Sequence, residues 1–436
     1  MRVEARLGIP VGDLEGGTRA AVGPRGEVVA PGGLRLDWWV GADDGWHLPA
    51  DEASTRQHRA GAAPVAVTEV RVPGGTVVQR VYGAGGPAGL VVVDVENSSP
   101  GPVVLALVLG VPRAARAVSG GSRVLLDGRP VLVLARPPGR VAVGPPVRVR
   151  AEVLGGNAAA GPLREEDLRP GEVVAVLVPV PHRTRARAGL VLGRDLADMV
   201  DARLLPEADG VIRGWATVLD RGMQVEVPEP YQRLAGAARA DVLLTAAATG
   251  RPAAAVVIAL EDWGFDAEAV AAFQRLSLRG RRRAARRSTA LGDEFGELRA
   301  EAARASDRLL PPRGPEAFLA LLRAVLLGEP DDGTVALLPG LPADWLGADL
   351  AVHDAPTRAG PVSFALRWHG RRPALLWDAP AARRLVAPTL APGWEAAGGS
   401  GEALLPEPPP ALLGLGATVP GQAVVPPTGG HPQSFT

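Results

Sequence analysis

Residues 329–378, EPDDGTVALLPGLPADWLGADLAVHDAPTRAGPVSFALRWHGRRPALLWD, decide the fold class of this chain. Pro339 and Pro342 cannot lie inside a helix or a central strand, so the first half of the segment is predicted to turn. Over residues 362–368 large apolar side chains alternate with small or polar ones, and after a His-Gly pair the chain returns through the apolar residues 374–377. This alternation predicts a β-hairpin with one apolar face.

The same segment carries a motif. A helical stretch ends at Glu-Pro-x-x-Gly (329–333), LLPGLPADWLG follows at 337–347, and a W-x-G sequence ends the first hairpin strand at 368–370. This order resembles the end of the catalytic toroid and the C-terminal β-domain of six-hairpin glycosidases. Independently, TEVRVPGGTVVQRVYG (68–83) and LVVVDVENSSPGPVVLALVL (90–109) resemble paired strands of the N-terminal supersandwich of that family.

The apolar periodicity changes once along the chain. Short alternations separated by Gly and Pro predict strands throughout residues 1 to about 185, in a sandwich. From about residue 190 the spacing becomes 3.6 residues, which predicts helices. One helix is expected to begin at Tyr231, after Pro228-Glu229-Pro230. The others are expected at 195–205, 214–222, 252–263, 266–280, 294–309 and 315–327.

The helical region is short for the family that it resembles. A complete toroid has about twelve helices and needs roughly 180 residues, whereas residues 190–328 supply 139. We therefore expect a toroid of about half the usual size. Missing helices would leave apolar helix faces uncovered, so a second copy of the chain or a partner protein is expected to cover them.

Taken together, these patterns predict a multidomain β plus α protein. The expected order is an N-terminal antiparallel β-supersandwich (1–188), a shortened α-hairpin domain or partial (α/α) toroid (189–330), a small C-terminal β-domain (331–390) and a Pro/Gly-rich tail (391–436). The resemblance implies a carbohydrate-active protein that hydrolyses a glycosidic bond. The alternative is a degenerate relative that binds carbohydrate, or serves as a protein-interaction scaffold, without cleaving anything.

Composition narrows the classes of partner and cofactor. The chain has 47 basic residues, all of them arginine, and 47 acidic ones, and this zero net charge argues against a nucleic-acid partner. Cysteine is absent, which removes thiolate metal sites and thiol nucleophiles. The six histidines have no metal-binding spacing, and without lysine no P-loop exists, so no cofactor or metal is expected. Without an apolar leader or a long apolar run, a cytoplasmic protein that does not bind membranes is expected.

Glycoside hydrolysis requires two carboxyl groups, one protonated and one ionised. The candidates at helix ends are Glu226 and Glu229 on one side and Glu261 and Asp262 on the other. Trp263, with a neighbouring phenylalanine, would supply a sugar-stacking surface and the apolar surroundings that raise a carboxyl pKa. The alternative is that these acids are solvated last-turn residues and that the aromatic residues join consecutive helices.

A second cluster, DWWVGADDGWH, spans residues 37–47 and has Asp51 and Glu52 close behind it. Trp38, Trp39 and Trp46 are dense for a chain with only 4% aromatic residues. Flat aromatic rings flanked by carboxylates suit sugars, whose C–H faces stack while their hydroxyls donate hydrogen bonds. The competing interpretation is that these tryptophans pack in the core or between domains.

Six arginines between residues 279 and 287 form a basic run. Such a run can hold a phosphate or an acidic partner. A solvated helix end is the alternative, since no aromatic residue is interleaved to stack on bases.

Overall fold

The computed structural model describes residues 8–15, 17, 19–86, 89–193, 200–248, 250–276, 314–330, 333–409 and 412. By their internal contacts the residues separate into two compact units. The first comprises Met1–Gln224 and Glu229–Leu322, and the second comprises Val225–Pro228 and Arg323–Thr436. The expected basic run at 279–287 and the expected helix at 294–309 lie outside the described residues.

Eighteen strands of the described residues belong to the first unit. They are β1 (Ile9–Gly12), β2 (Arg19–Val22), β3 (Val28–Val29), β4 (Arg35–Ala42), β5 (Gly45–His47), β6 (Arg56–Arg59), β7 (Val65–Val72), β8 (Gly75–Ala84), β9 (Leu90–Asn97), β10 (Val103–Gly110), β11 (Ala115–Gly120), β12 (Arg123–Leu126), β13 (Arg129–Leu134), β14 (Arg140–Gly144), β15 (Ala159–Ala160), β16 (Glu166–Leu168), β17 (Val173–Val180) and β18 (Arg185–Val191).

These strands form two antiparallel sheets of nine strands each. Sheet 1 has the order β1-β2-β3-β4-β10-β17-β14-β15, with β5 on β4, and sheet 2 has the order β16-β11-β12-β13-β18-β9-β8-β7-β6. Alternate residues of both sheets, such as Leu107 and Val176 from one and Val93 and Leu190 from the other, share one buried core. The expected N-terminal β-sandwich is therefore present, as the short alternating strands indicated.

One helix interrupts the strands of this region. Helix α1 (Pro146–Leu154) buries Val149 and Val153 on the outer face of sheet 1, against β14 and β17. The expectation of strand structure throughout residues 1–185 was wrong here. The sequence VRVR at 147–150 alternates like a strand, but Pro146 starts a helix and two valines four residues apart share its apolar face.

Five further helices lie among the described residues: α2 (Ala208–Leu219), α3 (Tyr231–Ala247), α4 (Ala254–Asp262), α5 (Asp266–Gln274) and α6 (Pro315–Leu326). Helices α3 to α6 begin within two residues of the expected positions, but α5 ends at Gln274, before the expected residue 280. The expected helix at 195–205 is only the 3₁₀ turn Ala202–Leu204 in its described part, and the one at 214–222 begins earlier, as α2.

Helix α3 is buried on all sides over residues 237–244, and an ion pair fixes it to the sandwich. Arg59 of β6 donates a hydrogen bond from Nη1 to Oδ1 of Asp241 over 2.8 Å, and the two side chains are only 1% and 4% exposed. Arg59 Nε also donates to the carbonyl of Ala63. Nearby, Gly236 lies so close to Ala62 that a Cβ at 236 would approach it to 2.9 Å. The helix and the sheet edge therefore meet almost backbone to backbone.

Apart from Gln224, the residues of sheet 3 belong to the second unit. Its strands are β19 (Gln224–Glu226), β20 (Leu327–Gly328), β21 (Thr334–Leu337), β22 (Leu350–Thr357), β23 (Gly360–His369), β24 (Arg372–Val386) and β25 (Glu395–Leu404). The expected hairpin is confirmed as β23 and β24, with Leu366 opposite Leu375. Its apolar face, which includes Val362 and Phe364, is buried. The sheet continues beyond residue 390, since β25 pairs with β24 inside the expected tail.

Glu329, the first residue of the Glu-Pro-x-x-Gly motif, forms ion pairs with two arginines of this unit. Its side chain is 9% exposed and lies 3.2 Å from Arg323 and 2.9 Å from Arg358. Burial by itself would raise the pKa of this carboxyl, but the hydrogen bonds from Arg358 and the charge of Arg323 outweigh it and lower the pKa below 4.5.

Large antiparallel sheets and few helices are consistent with the expected multidomain β plus α class. The partial toroid stays a prediction, because residues 277–313 lie outside the described part of the chain. The partner that was expected to cover it also stays a prediction. None of the described helices combines the length and the hydropathy that a bilayer crossing requires.

We predict that Asp241→Ala or Arg59→Ala lowers the free energy of unfolding by roughly 3–5 kcal/mol, because each leaves a buried charge without its counter-ion. The double variant Arg59→Met with Asp241→Leu should be far less harmful, since it removes both charges. Urea unfolding of the four proteins measures this. Single variants as stable as wild type would contradict the buried pairing.

We predict that Glu329 contributes to stability above about pH 4.5, and that this contribution is lost as the pH falls through its lowered native pKa. Glu329→Gln should be less stable than wild type at pH 7 and should lose less stability between pH 5 and pH 3. Urea midpoints across this pH range provide the measurement. Parallel curves for the two proteins would show that the carboxylate is not stabilised by its arginines.

Candidate functional site

Strand β4 divides the tryptophan cluster between the two faces of sheet 1. The side chains at 36, 38 and 40 enter the sandwich core and are at most 2% exposed. Those of Arg35, Asp37 and Trp39 alternate with them and lie on the outer face, partly exposed. A period of two in the sequence thus places a cation, a carboxylate and an indole on one side of one strand.

Trp46 joins this outer face from the neighbouring strand. It lies opposite Gly41 in the ladder of β4 and β5, and opposite residues share a face. Its ring covers Gly41 so closely that a Cβ at this position would lie 3.2 Å from the indole. Trp39 and Trp46 both pack against the small apolar cluster beneath α1.

Two hollows open on the outer face of sheet 1, one beside each of these tryptophans. The first, of about 460 Å³, is lined by Arg35, Asp37 and Trp39 together with Val108 and the start of α1 at Pro146. The second, of about 600 Å³, is lined by Trp46, Val104, Leu177, Arg140 and the last turn of α1. Both volumes fall within the range of small-ligand pockets, roughly 300–1,000 Å³.

The polar groups of the first hollow are paired with each other. Arg35 Nε donates to the two carboxylate oxygens of Asp37 over 3.3 and 3.2 Å. Burial raises the pKa of the Asp37 carboxyl, and the Arg35 guanidinium opposes the rise. The hollow therefore offers an acceptor and a donor beside an indole. Arg35 was not among the expected site residues, although the alternation from residue 35 to residue 41 places it on the same face as Trp39.

The other acids of the cluster fix the loop after β5. The His47 ring lies between two carboxylates, with Nε2 2.9 Å from Asp44 and Nδ1 3.1 Å from Glu52. Asp51 forms an ion pair with Arg150 of α1 over 2.6 Å. These contacts connect the β5 region to the helix that separates the two hollows.

Trp38 and Trp263 are buried, at 2% and 0% exposure. Trp38 Nε1 donates to the carbonyl of Arg25, and Trp263 Nε1 donates to that of Leu319. The guanidinium of Arg239 lies over the Trp263 ring at 5.9 Å. Their burial agrees with the packing interpretation, and a ligand role for either residue stays a prediction.

The four expected catalytic carboxylates lie in different surroundings. Glu226 and Glu229 belong to different compact units. Glu226, 63% exposed, lies 3.7 Å from Arg367, whereas Glu229, 54% exposed, lies 2.7 Å from Arg233. Glu261 and Asp262 are half-buried in the last turn of α4. A catalytic role for these residues stays a prediction.

The described residues contain no group of three or more His, Cys, Asp or Glu side chains arranged to hold a metal ion.

No protein-family model matches this sequence, and no curated protein matches it either. Among solved structures, a bacterial glucoamylase complexed with acarbose is similar, with a TM-score of 0.44 and 7% sequence identity. The similarity covers 62% of this chain and 49% of that one, so the chain spans about half the length of the glucoamylase. The similarity is weak and concerns the fold alone.

We predict that Trp38→Ala costs about 3–5 kcal/mol of unfolding free energy, because it empties a buried site. Trp39→Ala should cost only roughly 1 kcal/mol, since its ring is partly solvated. Urea unfolding of both variants distinguishes the core face of β4 from its outer face. Equal losses would mean that Trp39 is a packing residue like Trp38.

Proposed function

We propose that this protein binds carbohydrate on the outer face of sheet 1, in the hollow that Trp39, Asp37 and Arg35 line. The single observation that carries the proposal is that a partly exposed indole, a carboxylate and a guanidinium share one hollow of about 460 Å³. The indole stacks on the C–H face of a sugar ring. The Asp37 carboxylate accepts hydrogen bonds from hydroxyls, and Arg35 donates to hydroxyl or ring oxygens.

Trp46 extends the same binding face. Trp39 and Gly41 are two residues apart on β4, which separates them by roughly 7 Å along the strand. The Trp46 ring covers Gly41 and lines the second hollow, at the other end of α1, so it offers a separate stacking surface for a sugar unit.

Hydrolysis of a glycosidic bond is the further activity that the sequence motifs imply. It would use Glu261 or Asp262 with Glu226 or Glu229, in pairs separated by roughly 5–9.5 Å. Its support is the motif resemblance of residues 329–370 and the position of two of these acids at the end of α4. The test is release of reducing sugar by wild type and by Glu261→Gln. Release that this variant loses supports hydrolysis, and binding without release supports the non-cleaving alternative.

We predict that calorimetric titration with a panel of soluble oligosaccharides, α-linked and β-linked glucans included, identifies at least one ligand. Trp39→Ala should weaken its binding about tenfold through loss of ring stacking, and Asp37→Asn should weaken it less. Trp394→Ala is the matched control, because Trp394 is partly buried in the second unit, where it packs on Trp377.

Cooperative unfolding of each variant confirms that it is folded before titration. If no oligosaccharide of the panel binds wild type, or if Trp39→Ala binds as tightly as wild type, carbohydrate recognition on this face is wrong.

A further inference from the structure

A cavity of about 370 Å³ opens between the two sheets of the sandwich, where the chain crosses from one to the other. Strand β13 is paired with β18 only as far as Leu134 opposite Ala188. The chain then crosses over residues 135–139 and enters β14, where Arg140 lies opposite Leu177 of sheet 1. Ala135 N still donates a hydrogen bond to the carbonyl of Arg187, but no described strand lies beside residues 185 and 186 of β18 on that side, and the interior opens there.

The walls of this cavity are apolar and come from both sheets. Sheet 1 supplies Leu105, Leu107 and Val178, and sheet 2 supplies Leu134, Ala186 and Ala188. The two alanines leave space that larger residues fill elsewhere in the core. A cavity with such walls offers water few hydrogen-bond partners, so it favours an apolar ligand over water.

Arginines surround the mouth, and all but one of them are paired with carboxylates, Arg187 with buried Asp94 as well at 3.8 Å. Four arginines, at positions 136, 185, 187 and 203, line the cavity, and none of its described lining residues is acidic. Three of them are engaged outside the lining: Arg185 with Glu96 at 3.1 Å, Arg187 with Glu207 at 2.9 Å and Arg203 with Asp201 at 2.7 Å.

Arg136 differs from the other three. It is exposed, and it forms no ion pair with any residue that the structure describes. It follows Leu134 and Ala135 directly, where the chain begins to cross between the sheets. Its unpaired guanidinium therefore lies at the entrance of the apolar cavity. This is the arrangement that an amphiphile with one negative end requires, because an arginine binds a carboxylate through two parallel hydrogen bonds.

We infer that this cavity binds a single-chain aliphatic carboxylate, with its head group on Arg136 and its chain between the sheets. The volume equals about a dozen water molecules, which suits one unbranched chain of about ten carbon atoms and excludes a two-chain lipid. The inference goes beyond the proposed carbohydrate binding, and the two sites lie on opposite faces of sheet 1.

Calorimetric titration with decanoate below its micelle concentration tests the inference. Wild type should bind one equivalent saturably, and decanol and decyltrimethylammonium should bind at least about tenfold more weakly, because they lack the anionic head. Arg136→Gln should weaken decanoate binding by about the same factor. Arg113→Gln, at an exposed arginine outside the cavity lining, is the matched control and should change nothing.

Ala188→Phe should abolish binding by filling the cavity. If this variant does not unfold cooperatively, Ala186→Val reduces the volume more gently and should weaken binding. Trp39→Ala should leave decanoate affinity unchanged, so failure of the carbohydrate proposal is separable from failure of this one. No saturable binding of decanoate, equal affinity for decanol, or unchanged affinity in Arg136→Gln or in the filled variants would overturn the inference.

Discussion

The central strands of sheet 1 carry apolar side chains on both faces, and both faces must therefore be kept from water. Strands β10 and β17 read VVLALVLG and VVAVLVPV. Their inner faces pack against sheet 2, and α1 covers part of their outer faces. One short helix cannot cover the whole outer face. Trp39 and Trp46 lie at the margins of α1, beside the two hollows. Their rings are therefore half-buried and still accessible.

A second gap in the packing lies inside the sandwich, between its two sheets. A chain that leaves one sheet to join the other must separate from its hydrogen-bonded neighbour, and β13 leaves β18 after Ala135 has donated to the carbonyl of Arg187. Packing does not close the gap, because the inward residues of β18 beside it are the small residues Ala186 and Ala188. Both candidate sites therefore arise where the sandwich architecture leaves apolar surface uncovered, although the ligands proposed for them differ in chemistry.

Periodicity predicted much of this architecture. The hairpin of β23 and β24, the sandwich strands and the entrances of α3 and α6 follow from local patterns, because each element satisfies its own backbone and buries one face. Helix α1 was missed since VRVR alternates like a strand. The face of Trp39 could have been predicted from the alternation along β4, which separates it from Trp38. The pairing of Arg59 with Asp241 could not, because 182 positions separate the two residues and neither is unusual in its local sequence.

That long-range pair also bears on where the chain can be divided. A fragment that ended near residue 188, where the strands give way to helices, would contain Arg59 but not the helix that carries its counter-ion. The guanidinium would then face solvent at a sheet edge shaped for a helix, with the bare backbone around Ala62 beside it. The sandwich and α3 are thus a single folding unit, despite the change of secondary structure between them, and a boundary chosen by composition would cut through its interior.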